Sequence, residues 1–159
     1  QQAIRDLAER FTADEITPHA AHWDAECIFP RETIRKAAEL GFDAVELFPP
    51  DPDAVDPAEL RTLLDDNGLS LAAVGTGAGW VRHRLSLTAA DEATRGRAVA
   101  FVRRVMDLAA QFDAPAIIGS LQGRADGAVT KPVALRYLGH ALFKLDDHAA
   151  DLGTALLYE

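Results

Sequence analysis

A chain of 159 residues has room for one domain with a sizeable core. Its 48% hydrophobic and 26% charged residues are ordinary for a globular protein, and its formal net charge of −9 argues against nucleic acid or an anionic membrane surface, because phosphate would be repelled. No apolar run is long enough to span a bilayer, no signal-peptide pattern opens the chain, and a single cysteine, Cys27, excludes an internal disulfide framework and fits a reducing cytoplasm.

From Gln1 to about Thr17, Ile4, Leu7, Ala8 and Phe11 recur at helical spacing between charged residues, and Pro18 ends or kinks that helix. "HAAHWDAECIF" reads as a connector, in which Trp23 and Phe29 cover apolar surface. Cys27 within it reads as a partly buried thiol, since no His or helix N-terminus is arranged to activate it. Pro30 opens a second helix, "RETIRKAAEL", that stops at Gly41. "DAVELF", closed by Pro49 and Pro50, is then a strand. Asp56, Pro57 and Glu59 start the helix "AELRTLLDD", which stops at Asn67-Gly68. "LSLAAVGTGAG" is the next strand, running out into glycines. A long helix covers Thr88 to Phe112, with Ala98, Phe101, Val102, Val105, Leu108 and Ala109 on one face. "AIIGS" is the third strand, Lys131 to Leu152 a further helix, and "TALLYE" the fourth strand.

Strands alternating with helices imply an α/β fold with a parallel sheet, either part of a (βα)8 barrel or a small open sheet. In both, ligands bind at the carboxyl ends of the strands, where this chain carries "FPPDPD", "GTGAGWVRH" and "GSLQGR". "GTGAG" lacks the full spacing of a dinucleotide fingerprint, and no Walker Lys-Ser/Thr follows. It reads as a tight loop with no helix starting directly after it. His19, His22, His140 and His148 show no zinc-ligand spacing, and the last two lie on a helix, facing solvent or its edge.

Two resemblances divide the chain. From Phe42 onward "GFDAVELFPP", "LSLAAVGTGAGW", "PAIIGSLQGR" and "TALLYE" resemble the second to fifth strands of the sugar phosphate isomerase/epimerase superfamily, the xylose isomerase-like TIM barrels, and within it the hydroxypyruvate isomerase-like proteins. Residues 1 to 42, above all "PHAAHWD" and "FPRETIRKAAELGF", resemble the N-terminal helical domain of acyl-CoA dehydrogenases. The implied organisation is a partial dehydrogenase-type helical segment over 1–42, then the N-terminal half of a TIM barrel over 43–159: two helices followed by four parallel strands. The join falls on "AAELGF" (Ala37 to Phe42), which suits both families. With Gln1 inside an apparent helix and the chain stopping at "ALLYE", the expectation is a truncated chimera, made by read misassembly or rare recombination.

The barrel resemblance implies proton transfer next to a carbonyl, assisted by Mn²⁺, Mg²⁺ or Co²⁺ held by carboxylates and a His at the later strand ends. It implies Glu159 as a metal ligand, which in several members of that superfamily also takes part in acid/base chemistry; the plainer reading of Glu159 is a terminal, solvated residue. Glu46 is a candidate active-site carboxylate, or else an edge charge needing a partner. Trp80, Arg82 and His83 are candidates to hold a small polyol or its phosphate, with loop surface the plainer reading of His83. Gln122 and Arg124 lie just past a strand end, and Arg124 suits a carboxylate or phosphate, or else pairs with Asp126. The dehydrogenase resemblance covers scaffold helices, so it implies no site residue and no FAD bound to this chain.

The leading reading is a divalent-metal-dependent isomerase or epimerase of a small sugar, sugar phosphate or hydroxy-keto acid, inactive as truncated. The alternatives are part of a flavin-dependent acyl-CoA dehydrogenase, or a non-enzymatic α/β module that binds a small ligand or its own copy. Unpaired sheet edges imply homo-oligomer formation.

Overall fold

The computed structural model describes residues 2–26, 30–125 and 128–159. Two helix starts in the sheet-bearing part follow side-chain capping. Asp56, extended at φ −80° and ψ 111°, accepts hydrogen bonds from the backbone N–H groups of Ala58 and Glu59, and Pro57 takes the first position of α4 (Pro57–Asp66). Asp91 accepts from the Thr94 N–H at 2.7 Å and opens α6 (Glu92–Ala110). That helix begins four residues later than its periodicity suggests, because Ser86 and Thr88 are taken up in a buried turn in which the Thr88 N–H donates to Ser86 Oγ. Helix α7 (Lys131–Leu152) ends at Gly153, left-handed at φ +64°.

The N-terminal segment holds α1 (Gln2–Phe11), a π-turn at Thr12–Ile16, α2 (Ala20–Glu26) and α3 (Arg31–Glu39). Thus the connector expected before Pro30 contains a short helix, α2, added to the two expected ones. Propensity explains it: "AAHWDAE" has no Gly or Pro, and its first turn is carried by the hydrogen bond from the Trp23 N–H to the His19 carbonyl. Cys27 and Phe29 lie outside the described residues. Helix α1 has no buried residue; the segment is held by the Phe11–Phe42 ring contact at 6.1 Å, the Lys36–Glu15 ion pair at 2.6 Å and the Arg31–Glu59 pair. The hydrogen bond to Glu15 raises the Lys36 ammonium above the ordinary lysine range. Gly41, at φ +87°, turns α3 directly into the sheet.

Four parallel strands lie in sequence order: β1 (Ala44–Leu47), β2 (Ser70–Gly75), β3 (Ala116–Ile118) and β4 (Leu156–Tyr158). The β1–β2 register shifts between Val45 and Glu46, so Val45 pairs with Leu71 but Glu46 with Ala73. This bulge puts Leu71 and Val74, three residues apart, on the same face. That face continues through Ala116 and Ile118 and packs on α4, α6 and α7, where Phe101, Val102, Val105 and Leu145 are almost wholly buried. The opposite face carries Glu46, Phe48, Gly75, Ile117 and Leu157, and on it Phe48 and Leu157 are 58% and 45% exposed. Two polar ties fasten α7 to α6: Arg103 donates to the Lys144 carbonyl at 3.0 Å, and His148 meets Asp107 at 2.8 Å.

Hydrogen bonds from the Thr94 hydroxyl and backbone hold the Asp91 carboxyl below the ordinary aspartate range. A carboxylate with a lowered folded pKa stabilises above its unfolded value, about 3.9, and loses that stabilisation as the pH falls through the folded value. Asp91→Ala should therefore lower the thermal midpoint at neutral pH, and the gap to the parent protein should close as the pH is taken well below 4. Thermal unfolding followed by circular dichroism across that range checks it; a gap unchanged at low pH would count against capping by the ionised carboxylate.

Candidate functional site at the carboxyl ends of the strands

All four strands point their carboxyl ends to one edge, so the segments after them share a rim. After β2 the chain does not stay a loop. Gly77–Val81 forms a one-turn helix, α5, in place of the tight glycine loop read from "GTGAG". None of the three glycines of "GTGAG" has positive φ; at Gly75 and Gly79 the requirement is space. A Cβ on Gly75 would strike the Phe48 ring, and one on Gly79 would strike Leu121 and Phe101. That close approach leaves no signature distinguishable in the sequence from a flexible turn.

On this rim, α5 half-buries Trp80 against the core and presents its ring toward Arg124, whose guanidinium carbon lies 6.0 Å from the ring centroid. That is within reach of a cation–π contact and leaves the exposed Arg124 head available to an anion. Asp126, the alternative partner weighed for Arg124, lies outside the described residues. His83 donates its Nε2–H to the Pro50 carbonyl at 2.9 Å, and its ring lies 5.7 Å from Phe101. It thereby ties the segment after α5 to the segment after β1. Past β3, a single 3₁₀ turn at Ser120–Gln122 directs Gln122 toward β4. There its amide donates to the Glu159 carbonyl at 3.2 Å and its side-chain oxygen accepts the Tyr158 hydroxyl. Glu159 extends the ladder, donating its N–H to the Ile118 carbonyl at 3.2 Å. By strand alternation its side chain belongs to the same face as Leu157 and Glu46.

The rim therefore brings Trp80 and Arg124 together, and Gln122, Tyr158 and Glu159 together. It leaves Glu46 apart: exposed on β1, that carboxylate is separated from Glu159 by three strand spacings, about 14 Å. Three contributors escaped the sequence reading. Tyr158 alternates with Glu159 and was legible only once the strand end was known. Gly123, at φ +86° and ψ −167°, lies where a Cβ would strike the Ser86 and Thr88 hydroxyls. Thr76 is 1% exposed, and its Oγ1 finds no hydrogen-bond partner among the described residues.

No three His, Cys, Asp or Glu side chains among the described residues come together as a metal site. Glu159 is a single hard-oxygen donor, and a divalent cation of the Mg²⁺ or Mn²⁺ kind needs several. The donors described here do not by themselves fit the metal that the sequence resemblance implies. His140 is exposed and His148 is engaged with Asp107 on the helix side. An apolar groove of about 630 Å³ lies between the N-terminal helices and the edge of β1 and reaches the rim at Phe48, Pro49 and Pro50; it is lined among others by Trp23, Ile34, Ala37, Val45, Glu46 and Leu47.

A parallel sheet with helices on one face and a polar rim at its carboxyl edge defines a barrel-type α/β protein. Residues 34–159 match the family described as xylose isomerase-like TIM barrel, and the chain belongs to that family. Residues 1–48 match the acyl-CoA dehydrogenase N-terminal domain, so the two matches overlap over 34–48, across the string Ala37 to Phe42. Over 45 residues the chain is 47% identical to mitochondrial isobutyryl-CoA dehydrogenase of Bos taurus, covering 28% of this chain and 11% of that protein. Among solved structures, the D-allulose 3-epimerase from Methylomonas sp. superposes with a TM-score of 0.65 at 24% identity, over 80% of this chain and 44% of that one. A D-psicose 3-epimerase crystallised in the presence of D-fructose gives 0.62 at 26% identity, over 81% and 46%. The chain spans less than half the length of these structures.

The glycines separate two effects. Gly123→Ala should destabilise by about 1–3 kcal/mol from backbone strain alone, because its dihedrals are tolerated essentially only by glycine. Gly139→Ala, within α7 with open space around the added methyl, should stabilise by about 0.5–1 kcal/mol. Urea unfolding of both variants measures the contrast, and equal effects of the same sign would refute it.

Proposed function

We propose that this chain carries the substrate-facing rim of a ketose or hydroxy-keto acid isomerase or epimerase that works by proton transfer at the carbon next to a carbonyl. The family membership of residues 34–159 supports this reading, and the single observation that carries it is the rim itself. A partly buried indole with a guanidinium beside it, and an amide pinned next to a terminal-strand carboxylate, suit a small polyol with an anionic or carbonyl group. Solved relatives include epimerases of D-allulose and D-psicose, which supports a sugar-sized substrate. In this reading Trp80 packs a sugar face, Arg124 binds a phosphate or carboxylate, and Gln122 hydrogen-bonds a hydroxyl. Glu159 serves as acid/base at the reacting carbon. His83 contributes through its hold on Pro50, shaping the rim between the first two strands. Glu46 lines the open face away from the reacting centre.

The divalent-metal dependence proposed for the whole enzyme requires ligands beyond the one carboxylate supplied here. No helix among the described residues is long and apolar enough to cross a membrane, and one cysteine suits a reducing cytoplasm. We also propose that the segment before "AAELGF" is an acyl-CoA dehydrogenase scaffold piece joined at that shared string. The overlap of the two family matches there, and the 47% identity that the preceding residues contribute to, support this. Sequencing of the source DNA through the codons for Ala37 to Phe42 tests it: a continuous native template across the join would dismiss an assembly artefact and leave recombination.

The 159 residues alone should show no turnover. In D₂O with Mn²⁺, the purified chain should incorporate no deuterium next to the carbonyl of D-allulose or D-fructose by NMR. When the rest of a barrel is supplied, exchange should appear, and Glu159→Gln should lower it by about 10²-fold or more. Exchange by the isolated chain that is abolished by EDTA and by Glu159→Gln would overturn the expected inactivity. Exchange in a completed barrel that is indifferent to Glu159→Gln would overturn the role given to that residue.

A further inference from the structure

We infer that Arg84 joins Arg124 beside Trp80 in a two-guanidinium clamp for a phosphate carried by the substrate. The inference rests on the isomerase or epimerase reading above and names the substrate class within it. Its starting point is the backbone. Each helix from α3 to α7 is followed by a residue with left-handed φ: Gly41, Gly68, Arg84, Asp113 and Gly153, between +54° and +87°. In every case the next N–H returns to the helix end, as Leu69 does to the Leu64 carbonyl and Leu85 to that of Gly79. Glycine takes this conformation without steric cost and fills three of the five positions. Asp113 is of the short polar kind that also tolerates it.

Arg84, at φ +54°, is neither. A long side chain there carries a cost that glycine would remove. The end of α5 does not need this cation either. Arg82, at its C-cap with φ −94°, already stands beside the last carbonyls without that cost. Strain kept at a rim position points to a side chain kept for what it binds.

The surroundings say what that is. The Arg84 N–H donates to the Trp80 carbonyl at 3.2 Å, and the Arg124 guanidinium carbon lies 6.0 Å from the Trp80 ring centroid. Both arginines are exposed, one after β2 and one after β3, with Trp80 as their common neighbour. Acidic residues of the adjoining segments are engaged elsewhere: Asp51 and Asp53 with Arg104 at 3.9 and 3.3 Å, and Asp91 with Thr94. Positive charge thus gathers on one part of the rim, in a chain whose formal net charge is −9.

Two guanidinium groups favour phosphate over carboxylate. A carboxylate has two oxygens, which one guanidinium fork satisfies. A phosphate monoester has three terminal oxygens and a charge of about −1.5 to −2 at pH 7, enough for two forks. The turn after β3 sets the substrate's direction. Gln122 faces Glu159, whereas Arg124 faces Trp80. A phosphorylated ketose along this rim has its phosphate at Trp80 and its carbonyl end toward Glu159.

The test uses the chain with Trp23→Phe, which leaves Trp80 as the remaining indole. Its fluorescence is titrated with D-fructose 6-phosphate, D-fructose and inorganic phosphate, and phosphorus NMR line broadening reads the two phosphate probes without relying on the indole. D-fructose 6-phosphate should bind about tenfold or more tightly than either other probe. Arg84→Gly and Arg124→Gln should each weaken it by about tenfold or more, with Arg84→Lys in between. Arg84→Gly should at the same time raise the thermal midpoint, a pairing of lost binding with gained stability that a merely structural arginine would not produce. No binding of either phosphate probe, or a lowered midpoint in Arg84→Gly, overturns the proposal. D-fructose and its phosphate bound equally, with both variants silent, overturns the clamp and leaves the isomerase reading standing. Inorganic phosphate bound as tightly as the sugar phosphate, and lost in both variants, overturns the substrate assignment and counts against the isomerase reading itself.

Discussion

The one-residue slip between β1 and β2 governs the rest of the molecule. Strand alternation would send Leu71 and Val74 to opposite faces; the bulge opposite Ala72 sends both to the helices. With both there, α4, α6 and α7 have a continuous apolar floor running from Val45 to Ile118. Without it, either Leu71 or Val74 would stand on the open face, and the layer against α6 would lose a fully or nearly buried side chain. Strand β1 itself alternates without interruption, so Glu46, between Val45 and Leu47, faces the open side and stays out of the core.

From that floor the rim follows. Helix α6 is seated by Phe101, Val102 and Val105, and Phe101 in turn backs both Gly79 and the His83 ring. The position of Trp80 therefore depends on a core residue more than on its own loop. Beyond β3, the Leu87 N–H donates to the Leu121 carbonyl at 3.0 Å, stitching the segment before α6 to the turn that carries Gln122. Side chains that face the rim are held from beneath by packing and from the side by backbone hydrogen bonds, a arrangement suited to a preformed binding surface.

Much of this was legible in the residues. Asp56-Pro57 and Asn67-Gly68 bounded α4 because capping and left-handed turns are local chemistry. The strands were legible because short β-branched runs sat between breakers. The extra helix α2 was not, since "AAHWDAE" lacks the 3.6-residue apolar rhythm and its helicity rests on propensity alone. The one-turn helix in "GTGAG" was hidden because glycine is permissive in every conformation, and only the neighbouring rings say why it is required. At the site, chain order indicated which segments reach the rim. It could not indicate that Gln122 turns to Tyr158 and Glu159 while Glu46 stays three strands away, because cross-strand distance is a property of sheet order.

The lodging of the Phe48 ring in the space left by Gly75 has a consequence for descent. Any side chain at position 75 must displace that ring, and because Phe48 is 58% exposed the ring can swing out toward solvent. A larger residue at 75 is therefore met at the expense of baring more of the ring, so among relatives of this barrel segment the sizes of the two residues are coupled, with larger side chains at 75 favouring smaller ones at 48.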